Sequence, residues 1–167
     1  MTETTDLREK AFELLESFST AMFVTVRGGG VLASRPMHVA ATEKDKGEVW
    51  FFTGRGGSLA EEVAEEQRVL LAFQNDSSAF LSVRGKARLV EDRAKIKQLW
   101  KEAYKVWFPG GAEDPEIALV AVDAIDAEYW DTRGANKVKY LFEAAKAYVK
   151  GEKPEINDAG QHGKTRV

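Results

Sequence analysis

Apolar residues recur along the chain first at helical spacing and then in short, strand-like runs. In the first segment they lie three or four positions apart, which predicts an amphipathic helix over residues 6–18. The apolar residues of this segment are Leu7, Ala11, Leu14, Leu15 and Phe18. Asp6 followed by Glu9 resembles the capping box that begins many helices. Further apolar runs predict strands over residues 21–26, 31–40, 48–53, 69–74 and 79–90.

Glycine and proline positions indicate how these strands are joined and interrupted. Arg27 is followed by a run of glycines, and because glycine adopts the positive φ that tight hairpins need, this stretch predicts a turn between the first two strands. Pro36 lies within the second predicted strand and has no amide hydrogen to donate, which indicates a sheet edge, a bulge or a strand end. Gly85 inside the long run at residues 79–90 predicts a β-bulge.

Helical signals return at later points in the chain. Ser58 and Glu61 fit a second capping box, so a short helix is expected to begin at Ser58. Asp92 is the predicted N-cap of another helix, which has one apolar face. The members of that face are Ile96, Leu99, Trp100, Ala103, Val106 and Trp107. Residues 117–131 predict one or two strands, and residues 136–150 predict a final helix.

The order of these elements favours a mainly β (α+β) fold, an antiparallel barrel with peripheral helices. Strands joined by short turns are antiparallel neighbours, and the alternating strand–helix order of a doubly wound parallel sheet is absent. We expect a single domain over residues 1–150 and a polar, loosely held tail over residues 151–167.

Composition narrows the class of protein. The chain has 167 residues, of which 44% are hydrophobic and 31% charged, as is usual for one soluble domain. A net charge of −3 argues against a nucleic-acid-binding protein, and the absence of cysteine excludes disulfides and thiolate chemistry. The acidic N-terminal segment is unlike a secretory signal, and no apolar run approaches the roughly 18 residues of a membrane span. We therefore expect a cytoplasmic protein without nucleic-acid or membrane partners.

The common catalytic motifs are absent from the sequence. It contains no dinucleotide-binding glycine fingerprint, no phosphate-binding P-loop, no zinc-protease motif and no nucleophile elbow. The only histidines, His38 and His162, are far apart, so a transition-metal site is not expected. No catalytic acid or base can be assigned from the sequence.

Three local patterns allow either a binding or a purely structural interpretation. Arg35 and Met37 lie on the same face of the predicted strand. Arg35 is either a ligand contact or an edge-strand arginine in a surface ion pair. Residues 54–57 are either an ordinary turn or part of an anion site that uses Arg55, the Ser58 hydroxyl and exposed helix amides. Trp130 near a strand end is either a core residue or a cofactor contact.

Taken together, the motifs resemble the general stress protein branch of the pyridoxamine 5′-phosphate oxidase-like, flavin-binding split-barrel family. The resemblance covers roughly residues 7–149 and rests on the order and spacing of its parts. These parts are SRPM at residues 34–37, VWFFT at 49–53, a serine-containing loop and acidic helix, SVRGKARLVED at 82–92, WFPGG at 107–111 and AEYWD at 127–131.

The resemblance implies a six-stranded antiparallel split barrel that forms a homodimer and binds FMN in clefts at the dimer interface, although FAD or another flavin is possible. In this family the strand with the SRPM-like motif runs along the flavin, so Ser34 and Pro36 are expected beside it. Arg35 would contact the phosphate or ribityl chain, and Met37 and Val39 would flank the ring.

Further cofactor contacts follow from the same resemblance. Phe52 and Thr53 match an aromatic–threonine pair that touches the flavin, and Ser58 matches part of the phosphate-binding loop. Trp130 is expected to reach towards the partner subunit's site. No metal is implied, and the small-molecule substrate stays unknown.

The phosphate-binding loop departs from the family pattern at one position. Many members have a lysine directly after the loop serine, whereas this chain has Leu59. A charge-assisted hydrogen bond is worth about 1.5–3 kcal/mol, so its loss lowers FMN affinity by about tenfold to a hundredfold unless Arg55 replaces it. The alternatives are weak flavin binding, another ligand, or loss of the cofactor. The functional hypotheses are therefore a flavin-dependent oxidoreductase, a flavin carrier or stress sensor without robust turnover, and a structural dimer without flavin.

Overall fold

The computed structural model describes residues 3–76, 78–131 and 162–167. The helices are α1 (Glu3–Glu16), α2 (Ser58–Glu65) and α3 (Arg93–Leu99), with short 3-10 segments at Gly28–Gly30 and Glu102–Val106. The strands are β1 (Thr20–Arg27), β2 (Val31–His38), β3 (Ala41–Glu43), β4 (Glu48–Gly54), β5 (Arg68–Gln74), β6 (Ala79–Val90), β7 (Ile117–Asp131) and β8 (His162–Arg166). The predicted helix over residues 136–150 lies outside the described residues.

The described strands form one antiparallel sheet in the order β2-β1-β5-β6-β7-β4-β3, with β8 paired to β7. The prediction of a mainly β antiparallel fold is confirmed. The hydrogen-bond ladder is open at β2 and β3 rather than closed into a ring, and β3 and β8 are strands that the sequence did not predict. Residues 162–166 pair with residues 126–130, so the expectation of a loosely held tail is wrong for that segment.

Apolar residues cover both faces of the sheet. The main core lies under α1 and α2, and it includes Phe23, Phe51, Leu71 and Leu81, all buried. A smaller cluster lies on the opposite face, where Trp50 and Ile117 pack beside Ile96 of α3. The central strand β7 begins with six consecutive buried residues, because neighbours cover it on both faces there. No helix in the described ranges is long and apolar enough to cross a membrane.

The predicted cap of α3 is confirmed, but the helix is shorter than its apolar pattern indicated. The Asp92 carboxylate accepts hydrogen bonds from the amides of Ala94 and Lys95 at 2.9 and 3.2 Å. The helix ends at Leu99, and Trp100 has extended backbone angles (φ −62°, ψ 137°). The single apolar face predicted over residues 96–107 is therefore wrong.

The side chains that follow α3 differ in their exposure. Val106 is exposed and Trp107 is 63% exposed, whereas Tyr104 is buried. The rings of Trp100 and Tyr104 lie 5.8 and 4.9 Å from the ring of Phe52. Packing around Phe52 has thus overridden the helical periodicity of this segment.

The start of α2 also differs from the prediction by one residue. Gly57 is the N-cap and contributes no side-chain hydrogen bond, while Ser58 is the first helical residue. The predicted Ser58 cap is therefore wrong. Because Gly57 has no side chain to accept hydrogen bonds, the amides of Ser58 and Leu59 keep their capacity to bind another acceptor, whereas the Ala60 amide donates to the Gly57 carbonyl oxygen at 3.0 Å.

The bulge predicted at Gly85 is confirmed by a register shift between Arg84 and Gly85 in the β6–β7 ladder. A Cβ atom at Gly85 would lie 2.6 Å from the Asp123 carbonyl oxygen and 2.7 Å from Val122 Cγ1. Such contacts are far inside van der Waals distance, so this position requires glycine.

We expect Gly85→Ala to lower the free energy of unfolding by about 1–3 kcal/mol, because the methyl group over-packs the β6–β7 ladder. Urea unfolding monitored by tryptophan fluorescence measures this change. The matched control is Gly28→Ala, where an added Cβ meets nothing within 4 Å. Equal stability of the two variants would contradict the close approach at Gly85.

Candidate functional site

A cavity of about 560 Å³ lies where β2 and β4 end, beside the start of α2 and the 3-10 segment Glu102–Val106. Its volume is within the roughly 300–1,000 Å³ of typical small-molecule sites. The structure brings together at this cavity several residues that the sequence analysis selected. These are Arg35, Pro36, Met37, Phe52, Thr53 and Ser58.

Arg35 faces the interior because of its position on β2. It lies opposite Phe23 of β1, and directly opposite residues of an antiparallel pair share one face of the sheet. Phe23 is fully buried, so the same face directs Arg35 inward. Met37, two residues further along, packs against the main core in the same way.

Glu62 of α2 meets Arg35 at this inner face. Arg35 Nη2 donates to Glu62 Oε2 at 2.5 Å. Thr25 Oγ1 donates to the same carboxylate oxygen at 2.5 Å, and Arg27 Nε donates to Oε1 at 2.7 Å. The Glu62 residue is only 6% exposed, so this carboxylate is buried and has charged or polar donors on both oxygens. We call Thr25, Arg27, Arg35 and Glu62 the Glu62 cluster.

The cluster keeps Glu62 ionised. Burial raises the pKa of the Glu62 carboxyl, but the hydrogen bonds from its donors outweigh that effect and lower the pKa from an ordinary 4.5 to about 2. Hydrogen bonds to the charged form of a carboxyl always act in this direction. At neutral pH the cluster therefore contains one carboxylate and two guanidinium groups.

Arg35 retains hydrogen-bonding capacity that the described residues do not use. Its Nη1 atom is buried and has no hydrogen-bond partner in the described part of the chain. A buried polar atom without a partner costs about 1–3 kcal/mol, which a bound acceptor would recover. Arg35 forms an ion pair, but with a buried carboxylate rather than at the surface, and it also lines the cavity; its role as a ligand contact stays a prediction.

The start of α2 forms the adjacent part of the cavity wall. Gly57, Ser58 and Leu59 line the cavity, and Leu59 is buried. The first amides of a helix lack intrahelical partners and carry partial positive charge, which suits an anion. Leu59 adds an apolar surface at this point and no charge.

An aromatic wall forms another part of the cavity. Tyr104, Trp107 and Phe108 line it together with Phe52. Ring centroids are 4.9 Å apart for Phe52 and Tyr104, 6.2 Å for Phe52 and Phe108, and 6.4 Å for Tyr104 and Trp107. These spacings are typical of packed aromatic pairs, so the wall is held together by its own contacts.

The Tyr104 hydroxyl is the polar atom of this wall. Tyr104 is 4% exposed, and its hydroxyl has no hydrogen-bond partner among the residues described. Burial raises the pKa of Tyr104, so the hydroxyl is protonated at neutral pH and can donate. Its ring lies 5.7 Å from that of His38, whose pKa is lowered by partial burial and by the positive charge of Lys101, which favours the neutral imidazole.

Four residues predicted at the cofactor lie outside this cavity. Ser34 is exposed on β2, and Val39 packs against the main core. Arg55 is 51% exposed and pairs with Glu91 (Nε–Oε1 3.0 Å) rather than with the cavity. Trp130 lines a second hollow of about 380 Å³. The cofactor roles predicted for these residues stay predictions.

Sequence reasoning missed Glu62 and Tyr104. Glu62 lies three residues after Leu59 and one before Val63, so it falls on the buried face of α2, where an acidic residue is unusual. That spacing is a usable signal of a buried acidic residue. Tyr104 lies four residues after Trp100, and the expected continuous helix concealed its role. Within the described ranges no group of metal-ligating side chains is present.

Comparison with known proteins identifies the family. The sequence matches the family model described as pyridoxamine 5′-phosphate oxidase like over residues 6–155, which is most of the chain. The chain belongs to the pyridoxamine 5′-phosphate oxidase-like family. The resemblance seen in the sequence is thus confirmed, including its general stress protein branch.

Solved structures and a curated relative agree with this assignment. The general stress FMN/FAD binding protein from Xanthomonas citri is 31% identical, with 79% of this chain and 93% of that chain covered and a TM-score of 0.67. A candidate general stress protein 26 from Jannaschia sp. CCS1 is 26% identical, with 98% and 99% covered and a TM-score of 0.71. Protein bli-3 of Neurospora crassa is 27% identical over 157 residues, which span 86% of this chain and 75% of that protein. The split-barrel fold predicted for the family member is confirmed by these neighbours.

The lowered pKa of Glu62 predicts an acid-dependent loss of stability. A depressed folded-state pKa stabilises the fold above the unfolded-state value of about 4.5, and this contribution disappears as the pH falls towards 2. A shift of this size corresponds to about 3 kcal/mol. We expect wild type to be more stable than Glu62→Gln at pH 6, and the difference to shrink towards pH 3.

Urea unfolding at a series of pH values measures this difference. Glu65→Gln is the control, since Glu65 is an exposed acid on the same helix. A wild-type advantage over Glu62→Gln that stays constant between pH 6 and pH 3 would contradict the assignment.

Proposed function

We propose that the protein is a homodimeric, FMN-binding member of the general stress type, with flavin-dependent oxidoreductase capacity towards a small-molecule substrate. The observation that carries this proposal is the cavity in which Arg35, the start of α2 and an aromatic wall surround one space. Family membership and the FMN/FAD binding named for the Xanthomonas citri protein support it.

The cationic part of the cavity fits a phosphate ester. Arg35 offers its unpartnered Nη1 atom, and Ser58 with the first amides of α2 offers uncharged donors. Arg35 is the cationic residue that lines the described cavity, since Arg55 pairs with Glu91 elsewhere. We therefore infer FMN binding that depends on one arginine.

The aromatic part of the cavity fits a planar ring system with polar edges. Phe52, Phe108 and Met37 supply apolar surface, and the buried Tyr104 hydroxyl supplies a donor that has no partner in the described ranges. Flavin rings combine apolar faces with carbonyl and nitrogen acceptors at their edge. The residues present thus fit FMN, and they fit the flavin part of FAD equally.

Flavin, when bound, supplies hydride or electron transfer, and the protein supplies binding and electrostatics. The aromatic wall supplies apolar surface, and Tyr104 holds a proton that it can donate in a hydrogen bond. The lowered pKa of His38 favours its neutral form, which adds no positive charge near that hydroxyl. The substrate is a small molecule whose identity these residues do not specify.

A flavin carrier or stress sensor without robust turnover is the second candidate. The residues that line the described cavity include no aspartate, glutamate or lysine that could act as a general acid or base, and only Tyr104 and His38 could exchange a proton there. Purified protein that is yellow, with flavin absorbance, supports either candidate. Reduction of the bound flavin by NADH or NADPH would favour the oxidoreductase. A colourless protein that does not bind added FMN would exclude both and leave the structural dimer.

The homodimer is supported by an exposed apolar surface around the second hollow. Met22, Phe80 and Trp130 line this hollow, and each is at least 40% exposed in the single chain. Large apolar side chains grouped on a surface are typical of protein–protein interfaces. Trp130 also stacks on His162 at 5.3 Å, which holds its ring against the sheet. We propose that a second copy of the chain covers this surface.

We expect Arg35→Ala to weaken FMN binding by about tenfold or more, because a charge-assisted hydrogen bond to phosphate is lost. Arg55→Ala is the matched control, and we expect it to have a smaller effect because Arg55 pairs with Glu91 outside the cavity. Quenching of flavin fluorescence during titration measures both dissociation constants. Wild-type affinity in Arg35→Ala would refute the placement of Arg35 at the phosphate.

The proposed dimer predicts a molar mass of twice the 18.5 kDa of one chain in sedimentation equilibrium. We expect Trp130→Glu to shift the equilibrium to monomer, since it places a charge in the proposed interface. Val106→Glu changes an exposed apolar residue away from the second hollow, and it should stay dimeric. A monomeric wild type would reject the homodimer.

A further inference from the structure

The Glu62 cluster lies beside the cavity. Arg35 lines the cavity and Glu62 does not, but the Glu62 carboxylate accepts a hydrogen bond from Arg35. We propose that Glu62 is a positioning residue, which orients the Arg35 guanidinium so that it meets the phosphate of a bound flavin nucleotide. The inference rests on the proposed function, because it assigns a role within the same site. It concerns a residue that does not line the described cavity.

The inference rests on the different environments of the two terminal nitrogens of Arg35. Nη2 donates to Glu62 Oε2 at 2.5 Å, and it lies 3.4 Å from Thr25 Oγ1. Nη1 has no partner in the described part of the chain, although it is buried and belongs to a side chain that lines the cavity. A guanidinium is planar, so holding one amino group in place also fixes the direction of the other. Glu62 thus sets where Nη1 points.

Glu62 is itself held in place from several sides. Its Oε1 accepts from Arg27 and its Oε2 accepts from Thr25, both on β1, while its backbone belongs to α2. The side chain is 7% exposed, so water has little access to these bonds. A carboxylate anchored in this way fixes Arg35 before the ligand arrives, which reduces the ordering needed on binding.

Charge balance is consistent with positioning. The cluster has two arginines and one carboxylate, so it keeps one positive charge in excess for an anion. The opposite role would be competition, in which Glu62 holds Arg35 away from the ligand. Competition would require the ligand to displace Glu62 from Nη2, whereas a different nitrogen, the buried Nη1, is the one without a partner among the described residues.

The test is a double-mutant cycle of Glu62→Gln and Arg35→Ala in the full chain, with dissociation constants measured for FMN and for riboflavin. Riboflavin has the same ring without the phosphate. We expect Glu62→Gln to weaken FMN binding by about tenfold and to leave riboflavin binding unchanged. In the Arg35→Ala background, Glu62→Gln should have no further effect on FMN. Glu65→Gln, an exposed change on the same helix, should match wild type.

Each other outcome overturns the inference in a distinct way. Tighter FMN binding by Glu62→Gln would show competition. Equal weakening for FMN and riboflavin would show a structural role. If Glu62→Gln weakens FMN binding by the same factor in the Arg35→Ala background as in wild type, Glu62 does not act through Arg35. Failure of wild type to bind either flavin would instead overturn the proposed function.

A second variant keeps the test valid if Glu62→Gln does not fold. Thr25→Val removes the hydroxyl that donates to Glu62 and leaves every charge of the cluster in place. We expect a smaller weakening, again for FMN and not for riboflavin. A change for both flavins, or for neither, would contradict the positioning role of the cluster.

Discussion

The candidate site is built around one buried carboxylate, that of Glu62, which pairs with two arginines. Without Glu62, Arg35 and Arg27 would bring two like charges to the inner side of one hairpin, next to a fully buried threonine. With it, a helix and two strands share a network in which hydrogen bonds are stronger than in water because the surroundings are apolar. The same network joins packing to binding, since the arginine that helps to neutralise the carboxylate also lines the cavity. A carboxylate that joins two strands and a helix thus also contacts a residue of the candidate site.

The cavity is assembled by contacts between segments far apart in the chain. The β1–β2 hairpin supplies Arg35, the end of β4 supplies Phe52, α2 supplies Ser58, and the segment after α3 supplies Tyr104. Side-chain alternation in the antiparallel sheet sets the direction of Arg35 and Phe52, whereas the rest of the aromatic wall depends on tertiary packing around Phe52. The donors Arg35 and Ser58 lie on β2 and α2, whereas three of the four aromatic rings, those of Tyr104, Trp107 and Phe108, come from the segment after α3. This division gives the site both a donor set and a low-dielectric wall, as a cofactor with a charged tail and a flat ring requires.

Sequence patterns predicted most strands, the Asp92 cap and the Gly85 bulge, because each follows from local chemistry. They failed where tertiary contacts override local preference. The apolar spacing of residues 96–107 is that of a helix, yet the backbone at Trp100 is extended and the rings gather around Phe52. Glu62 was overlooked because its partners come from β1 and β2, and no pattern within α2 reveals them. The family resemblance selected residues on β2 and β4 that the structure places at one cavity, and their cofactor roles stay predictions.

The pairing of β8 with β7 has a consequence beyond the site. Residues 119–123 of β7 pair with β4 on one side and β6 on the other, whereas residues 126–130 pair with β6 and β8. Without β8, the second half of β7 would present a row of unpaired amides and carbonyls beside an exposed tryptophan. Such an edge is a template for association with other chains. The short polar strand β8 thus satisfies the backbone groups of this half of β7 in the described part of the chain.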